Sequence, residues 1–443
     1  MSRLFGTDGM RGVAFEPPLD QETIMRLGWA LARHLQERAL PLRVLLAGDT
    51  RASTPVLAGW LARAFAAAGG EVVWAGVLPT PAVSHLLRDA NGFGAGVVVS
   101  ASHNPAADNG IKLVAARGAK WPVAEEASLE ARLAESRGGW GDGWLPPEAQ
   151  ELRSRYVATL AQGLSGKPLA GLHLLVDAAQ GAASPVAEEF FSRLGAEVEV
   201  LNASPDGANI NASCGALHPE ELAQAVVARG ADAGAAFDGD ADRAVLVTHT
   251  GRILDGDDIL HLWGRHLAAA GKLPGQTVVA TVMSNLGLEV ALAANGIRLV
   301  RCAVGDREVW ETMEREGVVL GGEQSGHIIC AHHAVTGDGL LTAAHVLAIA
   351  REQRRPLEEL ADLQHFPQVL RNVRVSRRLP VAEVPELAGA IARAEEELGD
   401  VGRVLVRYSG TEPLLRIMVE APTDELAHAT AQRLADVAHA HLG

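Results

Sequence analysis

Cysteine is scarce: Cys214, Cys302 and Cys330 are the only three in 443 residues, and no two form a CxxC spacing. Such a pattern offers neither a disulfide framework nor a cysteine-based zinc site, and it suits a reducing compartment. Positive charge is also short. With a formal net charge of −15, the chain lacks the basic surface that displaces counterions from a phosphate backbone, which excludes general nucleic-acid binding. An anionic ligand must therefore meet local arginines. No apolar run is long enough to span a bilayer, and no secretory leader precedes Phe5-Gly-Thr-Asp-Gly, so a cytoplasmic protein without membrane contact is expected. The absence of long polar tracts and of a glycine period excludes disordered and fibrous classes.

What is present is a chain that is 48% apolar and longer than one hydrophobic core usually serves, so several domains are expected. Three segments repeat one plan, an apolar strand, a turn, a helix and a second strand. They run from Arg43-Val-Leu-Leu-Ala-Gly to Glu71-Val-Val-Trp, from His173-Leu-Leu-Val-Asp to Glu197-Val-Glu-Val, and from Thr277-Val-Val-Ala-Thr to Arg298-Leu-Val-Arg. Apolar residues recur at helical spacing between the strands, as in Val56, Leu57, Trp60, Leu61, Ala64 and Phe65, which defines βαβ units. Continuous apolar strands imply sheets covered on both faces. A repeat distance of about a hundred residues suits duplicated domains and not a solenoid. The expected fold is α/β: three related α/β domains with mixed sheets over residues 1–152, 153–254 and 255–368, then a C-terminal α+β domain over 369–443, around a central cleft.

Four loops carry candidate chemistry. In Val98-Val-Ser-Ala-Ser-His-Asn-Pro105 a buried strand ends at Ser102, because Pro105 turns the chain. Ligands bind at that edge of open α/β sheets. An ordinary turn capped by serine and asparagine fits this loop as well as a catalytic one does.

In Asp238-Gly-Asp-Ala-Asp-Arg243 three carboxylates alternate, so Asp238, Asp240 and Asp242 share one side of a non-helical backbone. Each pair repels by roughly a kcal/mol or more unless a cation sits among them. An EF-hand is excluded, since its glycine and glutamate positions hold Arg243 and His249. Few carboxylates plus a ligand phosphate describe Mg²⁺; a solvated acidic turn is the alternative.

In Gly322-Glu-Gln-Ser-Gly-His327, glycines permit close approach while Glu323, Ser325 and His327 alternate and can reach hydroxyls of a polyol; a tight structural turn fits too. In Arg407-Tyr-Ser-Gly-Thr-Glu-Pro413, Ser409, Gly410 and Thr411 offer hydroxyl and N–H donors, and Arg407 with Arg416 supplies charge for a phosphate; a plain hairpin loop is the alternative.

Taken together and in this order, the four motifs resemble those of the α-D-phosphohexomutase superfamily over essentially the whole chain. The Gln324 version of the sugar loop is in the style of members acting on amino-sugar phosphates. Gln180, Ala216-Leu217 and Glu308 depart from that style outside the four motifs.

The resemblance implies interconversion of glucosamine 6-phosphate and glucosamine 1-phosphate for amino-sugar nucleotide synthesis. Ser102 would carry a phosphoryl group, and glucosamine 1,6-bisphosphate would be the intermediate. One Mg²⁺ would be held by Asp238, Asp240, Asp242 and an oxygen on Ser102. Lys112 would exchange the hydroxyl proton, with Arg11 and His103 positioning the phosphate, and Arg243, Glu323, Ser325, His327 and the Arg407–Arg416 loop binding substrate. The partner is thus a small hexosamine phosphate, and the protein a monomer or homodimer. Glucose or mannose phosphates, a hydrolase, and a non-enzymatic sugar-phosphate sensor are the competing readings.

Overall fold

The computed structural model describes residues 4–6, 9–89, 92–136, 138–409 and 413–443. The chain divides into two compact units, one of Met1–Met283 with Leu299–Asp362, the other of Ser284–Arg298 with Leu363–Gly443. No helix among the described residues is long and apolar enough to cross a membrane.

The first unit carries three sheets with a shared plan. In the first, Arg43–Gly48 lies between parallel partners Glu71–Val77 and Ala95–Val99, and Ala95–Val99 turns back antiparallel along Asp108–Ala115. In the second, His173–Asp177 lies between parallel Glu197–Leu201 and Ala233–Phe237, and Ala233–Phe237 returns antiparallel as Ala244–Thr248. In the third, Thr277–Thr281 pairs in parallel with Leu320–Gly322, which returns antiparallel as Ile328–Cys330. The central strands are buried along their whole length, as the continuous apolar runs require.

This repetition fixes the position of chemistry. Residues 100–107, 238–243 and 323–327 are the same connection in three sheets, the loop from the last parallel strand into its antiparallel return. All three therefore leave the carboxyl ends of buried strands.

Helices cover the sheets and are started by local side chains. Asp20 accepts the Thr23 N–H at the head of Gln21–Glu37, and Asp338 accepts the Leu341 N–H at the head of Gly339–Gln353. Asp338 has a second role. Its Oδ2 accepts the Tyr156 hydroxyl at 2.8 Å and lies 3.3 Å from His85 Nε2, all three side chains being buried. Helices Thr80–Asp89, Glu151–Gln162 and Gly339–Gln353 are fastened together by this one carboxylate.

The second unit holds a sheet in the order Gln368–Arg374, Leu414–Glu420, Arg403–Tyr408, packed with helices Pro385–Leu398 and Asp424–Leu442 through buried residues such as Leu387, Leu415, Ile417 and Leu434. Helix Leu286–Ala294, which the sequence places between the two strands of the third βαβ unit, belongs to this second unit.

Candidate active site

Ser102 takes a left-handed backbone, φ 52°, a conformation that costs a side-chain-bearing residue about 1 kcal/mol and persists only when its surroundings impose it. Those surroundings are visible. The Arg51 side chain is buried and ion-paired with Asp49, and its Nη2 donates to the carbonyl oxygens of Asn104 at 2.6 Å and Ser102 at 3.4 Å. From the second sheet's side, Asn211 Nδ2 donates to the Ser102 carbonyl at 2.9 Å and to the Asn104 carbonyl at 3.1 Å. Ser100 Oγ accepts the Ser102 N–H at 2.9 Å.

So held, Ser102 Oγ donates to Asp238 Oδ2 at 2.6 Å, joining the serine loop to the acidic loop 136 residues away. Gly239 allows the approach: a β-carbon there would stand 2.6 Å from the Ser102 carbonyl oxygen.

Asp238, Asp240 and Asp242 are buried, with ligand-capable oxygens within 4.8 Å of one another. Asp240 Oδ2 accepts from Thr80 Oγ1 at 2.6 Å and from Lys112 Nζ at 3.0 Å, and Lys112 Nζ lies 3.8 Å from Asp242 Oδ2. Asp240 Oδ1 and Asp242 Oδ1 are buried and accept no hydrogen bond among the described residues. Two orphaned carboxylate oxygens inside a buried acidic triplet fit a hard divalent cation that prefers oxygen ligands.

The triplet's charges are divided unequally. Burial, with Asp242 and Asp240 adding to it, pushes Asp238 up to about 8. Burial also works against Asp242, but His327, Lys112 and Arg243 outweigh it and hold that carboxyl below the usual range. His327 Nε2 accepts the Gly337 N–H at 3.1 Å, so a neutral ring carries its proton on Nδ1, 3.5 Å from Asp242 Oδ2. Both ring nitrogens thus face protein groups, although His327 also lines the cavity.

That cavity has a volume of about 550 Å³. Arg11, Ser102, His103 and Lys112 line it from the first sheet, Asp242 and Arg243 from the second, and Glu323, Gln324, Ser325 and His327 from the third. His103 Nδ1 is 3.2 Å from Ser102 Oγ, and burial together with Arg243 lowers His103 to about 4, so its ring is neutral near pH 7. Arg11 donates to the Ala101 carbonyl at 3.0 Å.

Glu323 accepts the Gly305 N–H at 3.0 Å, which ties the sugar loop to the turn Val304-Gly-Asp-Arg307. That turn is anchored to the first sheet's side by Arg307 to Glu126 at 2.7 Å and by the Lys120–Asp306 ion pair. Gly326, φ 91°, lets its loop pass the Ala244 carbonyl, which a β-carbon would meet at 2.2 Å.

In the second unit Arg407 and Arg416 stand opposite each other across paired strands. Burial, with Arg416 beside it, lowers Arg407. Like charges so placed repel, and an anion between them would relieve both. Ser409 is buried beside them, while Gly410 and Thr411 lie outside the described residues.

The structure therefore brings the serine, acidic and sugar loops onto one cavity in the first unit. Arg51, Asn211 and Thr80 were not among the residues singled out from sequence. Arg51 had a faint signal, an Asp-Thr-Arg run at a strand's carboxyl end; Thr80 had none.

Phosphoglucomutase/phosphomannomutase domain models match the chain four times: α/β/α domain I at residues 2–138, domain II at 154–251, domain III at 255–366 and the C-terminal domain at 370–437. The chain belongs to this family, a class of phosphosugar isomerases. Its curated relatives include the phosphoglucosamine mutases of Solibacter usitatus, 46% identical over 99% of both chains, and of Desulforudis audaxviator, 48% identical over 99% of this chain and 98% of the other. Among solved structures, a family protein from Burkholderia thailandensis superposes with a TM-score of 0.82 at 27% identity, covering 99% of this chain and 97% of that one. An Aspergillus fumigatus N-acetylphosphoglucosamine mutase in complex with GlcNAc-6P and magnesium shares the fold, with a TM-score of 0.69 at 19% identity over 99% of this chain and 96% of the other.

Proposed function

We propose that the enzyme interconverts glucosamine 6-phosphate and glucosamine 1-phosphate by way of a phosphorylated Ser102 and a glucosamine 1,6-bisphosphate intermediate. The observation that carries this reading is the 2.6 Å contact between Ser102 Oγ and Asp238, made inside an acidic triplet and beside a cavity walled by the sugar loop.

The serine oxygen is the phosphate carrier. In the forward step the bond from phosphorus to Ser102 Oγ breaks, a bond from phosphorus to the sugar hydroxyl oxygen forms, and the hydroxyl proton leaves. Lys112, which lines the cavity beside Asp240 and Asp242, would take that proton as the neutral amine, after its own ammonium proton has passed to solvent. Neutral His103 can donate from Nδ1 to the departing serine oxygen, 3.2 Å away. Arg11 and Arg243 line the cavity where the transferred group must sit. Asp238, Asp240 and Asp242 would hold Mg²⁺, which supplies positive charge that polarises the phosphorus and stabilises the leaving oxygen.

Glu323 and Ser325 would hold ring hydroxyls in either orientation of the bisphosphate, with His327 completing that wall. Arg407, Ser409, Gly410, Thr411 and Arg416 would bind the phosphate that is not being transferred. The sequence division at residues 152, 254 and 368 assigns one of these four tasks to each part.

Turnover of glucosamine, glucose and mannose phosphates, measured side by side with the mass of the intact protein, tests the reading. A phosphoryl group at Ser102 and preference for glucosamine phosphates are expected. A wide preference for a neutral sugar, or inorganic phosphate released in step with substrate loss, would overturn it.

A further inference from the structure

A second cavity, of about 740 Å³, lies in the first unit where strand Ala233–Phe237 begins and helix Gly339–Gln353 ends. The strand's five residues separate it from Asp238 by about 16 Å, so it is no part of the catalytic cavity. Its floor is apolar, built from Leu172, Leu347 and Leu357, and its lip carries Arg351, Arg354 and Arg355. In a chain of net charge −15, three guanidinium groups at one opening run against the overall composition.

Their partners do not account for them. Arg355 Nε faces Glu359 at 3.2 Å and is neutralised there. Arg351 donates to the Ala170 carbonyl at 2.7 Å, which leaves its charge uncompensated. The Arg354 side chain has no hydrogen bond or ion pair among the described residues. One carboxylate, Asp232, also lines the cavity, and it accepts the His173 N–H at 2.8 Å.

Arg354 is unusual in its backbone as well. It closes helix Gly339–Gln353 at φ 55°, ψ 36°, its N–H bonded to Ala350 and Arg351 carbonyls. That left-handed position ordinarily takes glycine or asparagine. A strained arginine without a protein partner, at the mouth of an apolar-floored cavity, has the character of a ligand contact.

We propose that this cavity binds a small organic phosphate. Arg354 and Arg351 would grip the phosphoryl group through paired N–H donors, and the rest of the molecule would lay an apolar face on Leu172, Leu347 and Leu357. A bare sugar phosphate is a poor match, since the leucine floor offers its hydroxyls no partners. A planar base linked to phosphate satisfies both halves.

Isothermal titration of the full-length, metal-free protein with ADP tests this, with inorganic phosphate as the second probe. Saturable ADP binding is expected, tighter than that of phosphate. Arg354→Gly should weaken it by about tenfold or more, the loss of one charge-assisted contact, while leaving basal turnover unchanged. Because glycine suits the left-handed position, the same variant should melt at or above the wild-type temperature, which separates lost binding from lost folding. Arg243→Ala, in the catalytic cavity, should leave ADP binding intact. The proposal is overturned if ADP does not saturate, if Arg354→Gly binds it like wild type, if binding is lost in Arg243→Ala alone, or if phosphate binds as tightly as ADP.

Discussion

The Arg51 guanidinium reaches the Asn104 carbonyl oxygen at 2.6 Å from inside the protein, and so fixes the loop on which Ser102 stands. Together with Asn211 it occupies the Ser102 and Asn104 carbonyls of that loop, Arg51 coming from the same sheet and Asn211 from the second sheet's side. Asn211→Ala should therefore lower kcat by about tenfold with little change in KM, because the substrate-binding wall is elsewhere. Arg51→Gln should cost more: it strands the buried Asp49 carboxylate, destabilising the fold by about 3–5 kcal/mol. Steady-state kinetics and urea unfolding read the two effects separately. An Asn211→Ala enzyme with raised KM and normal kcat would contradict the positioning role.

In the proposed route Ser102 Oγ is the phosphate carrier. Ser102→Ala should reduce turnover by at least about 10⁴-fold, the scale seen when a nucleophile is deleted, and should abolish incorporation of a phosphoryl group into the protein. A variant with near-normal isomerase activity would refute the serine route.

Chelation by EDTA should silence the enzyme and added Mg²⁺ should restore it. Asp242→Asn removes a carboxylate whose Oδ1 has no hydrogen-bond partner among the described residues, so apparent Mg²⁺ affinity should fall by about 100-fold or more, with a lower melting temperature because His327, Lys112 and Arg243 lose their counterion. Activity as a function of free Mg²⁺ measures this, and an unchanged activation midpoint would remove Asp242 from the metal site.

Stability should depend on pH through His345. Burial, with His333 and His266 adding to it, lowers this imidazole from 6.5 to about 3, and its ring lies 4.0 Å from that of His333. Above pH 6.5 both folded and unfolded chains hold it neutral, so its contribution is complete there. Between pH 6.5 and about 3 the unfolded chain takes up a proton that the folded one refuses, and up to about 1.4 kcal/mol of stability is lost per pH unit. Denaturant titrations at pH 7, 6 and 5 should show the decline, and His345→Phe should flatten part of it.

Tyr156→Phe deletes the hydroxyl that Asp338 accepts at 2.8 Å, at the point where three helices meet. A loss of about 1–3 kcal/mol is expected in unfolding experiments, with catalytic constants unchanged because the contact is outside the catalytic cavity. An equally stable variant would mean that water or His85 replaces the donor at no cost.

The sequence announced the residues that occur as contiguous motifs, and missed those whose work is done through space. Alternating aspartates at 238, 240 and 242 could be placed on one side of the chain from backbone geometry, and their oxygens do converge. Ser102 was legible as a residue at the end of a buried strand. Arg51, Asn211 and Thr80 were not, because what they hold is a carbonyl or carboxylate 53, 107 or 160 residues away, and even the faint Asp-Thr-Arg signal at Arg51 does not name its partner. The strands of the repeated βαβ units followed from apolar runs, but the packing of helix Leu286–Ala294 with the C-terminal unit did not, since its apolar face fits either neighbour equally well in one dimension. Gly410 and Thr411 lie outside the described residues, so the proposed phosphate loop is described through Arg407, Ser409 and Arg416 alone.

The use of one hairpin connection in three successive sheets also orders events on the ribosome. Synthesis delivers the serine loop first, the carboxylates more than a hundred residues later, and the sugar loop some eighty residues after that. Domains tend to fold as they emerge, amino end first. In the proposed route, a nascent first domain would present a serine without its acidic partners, and the set of loops would be complete only after the C-terminal Arg407–Arg416 hairpin is made. Splitting the proposed chemistry across successive segments would leave the serine idle until the later ones fold.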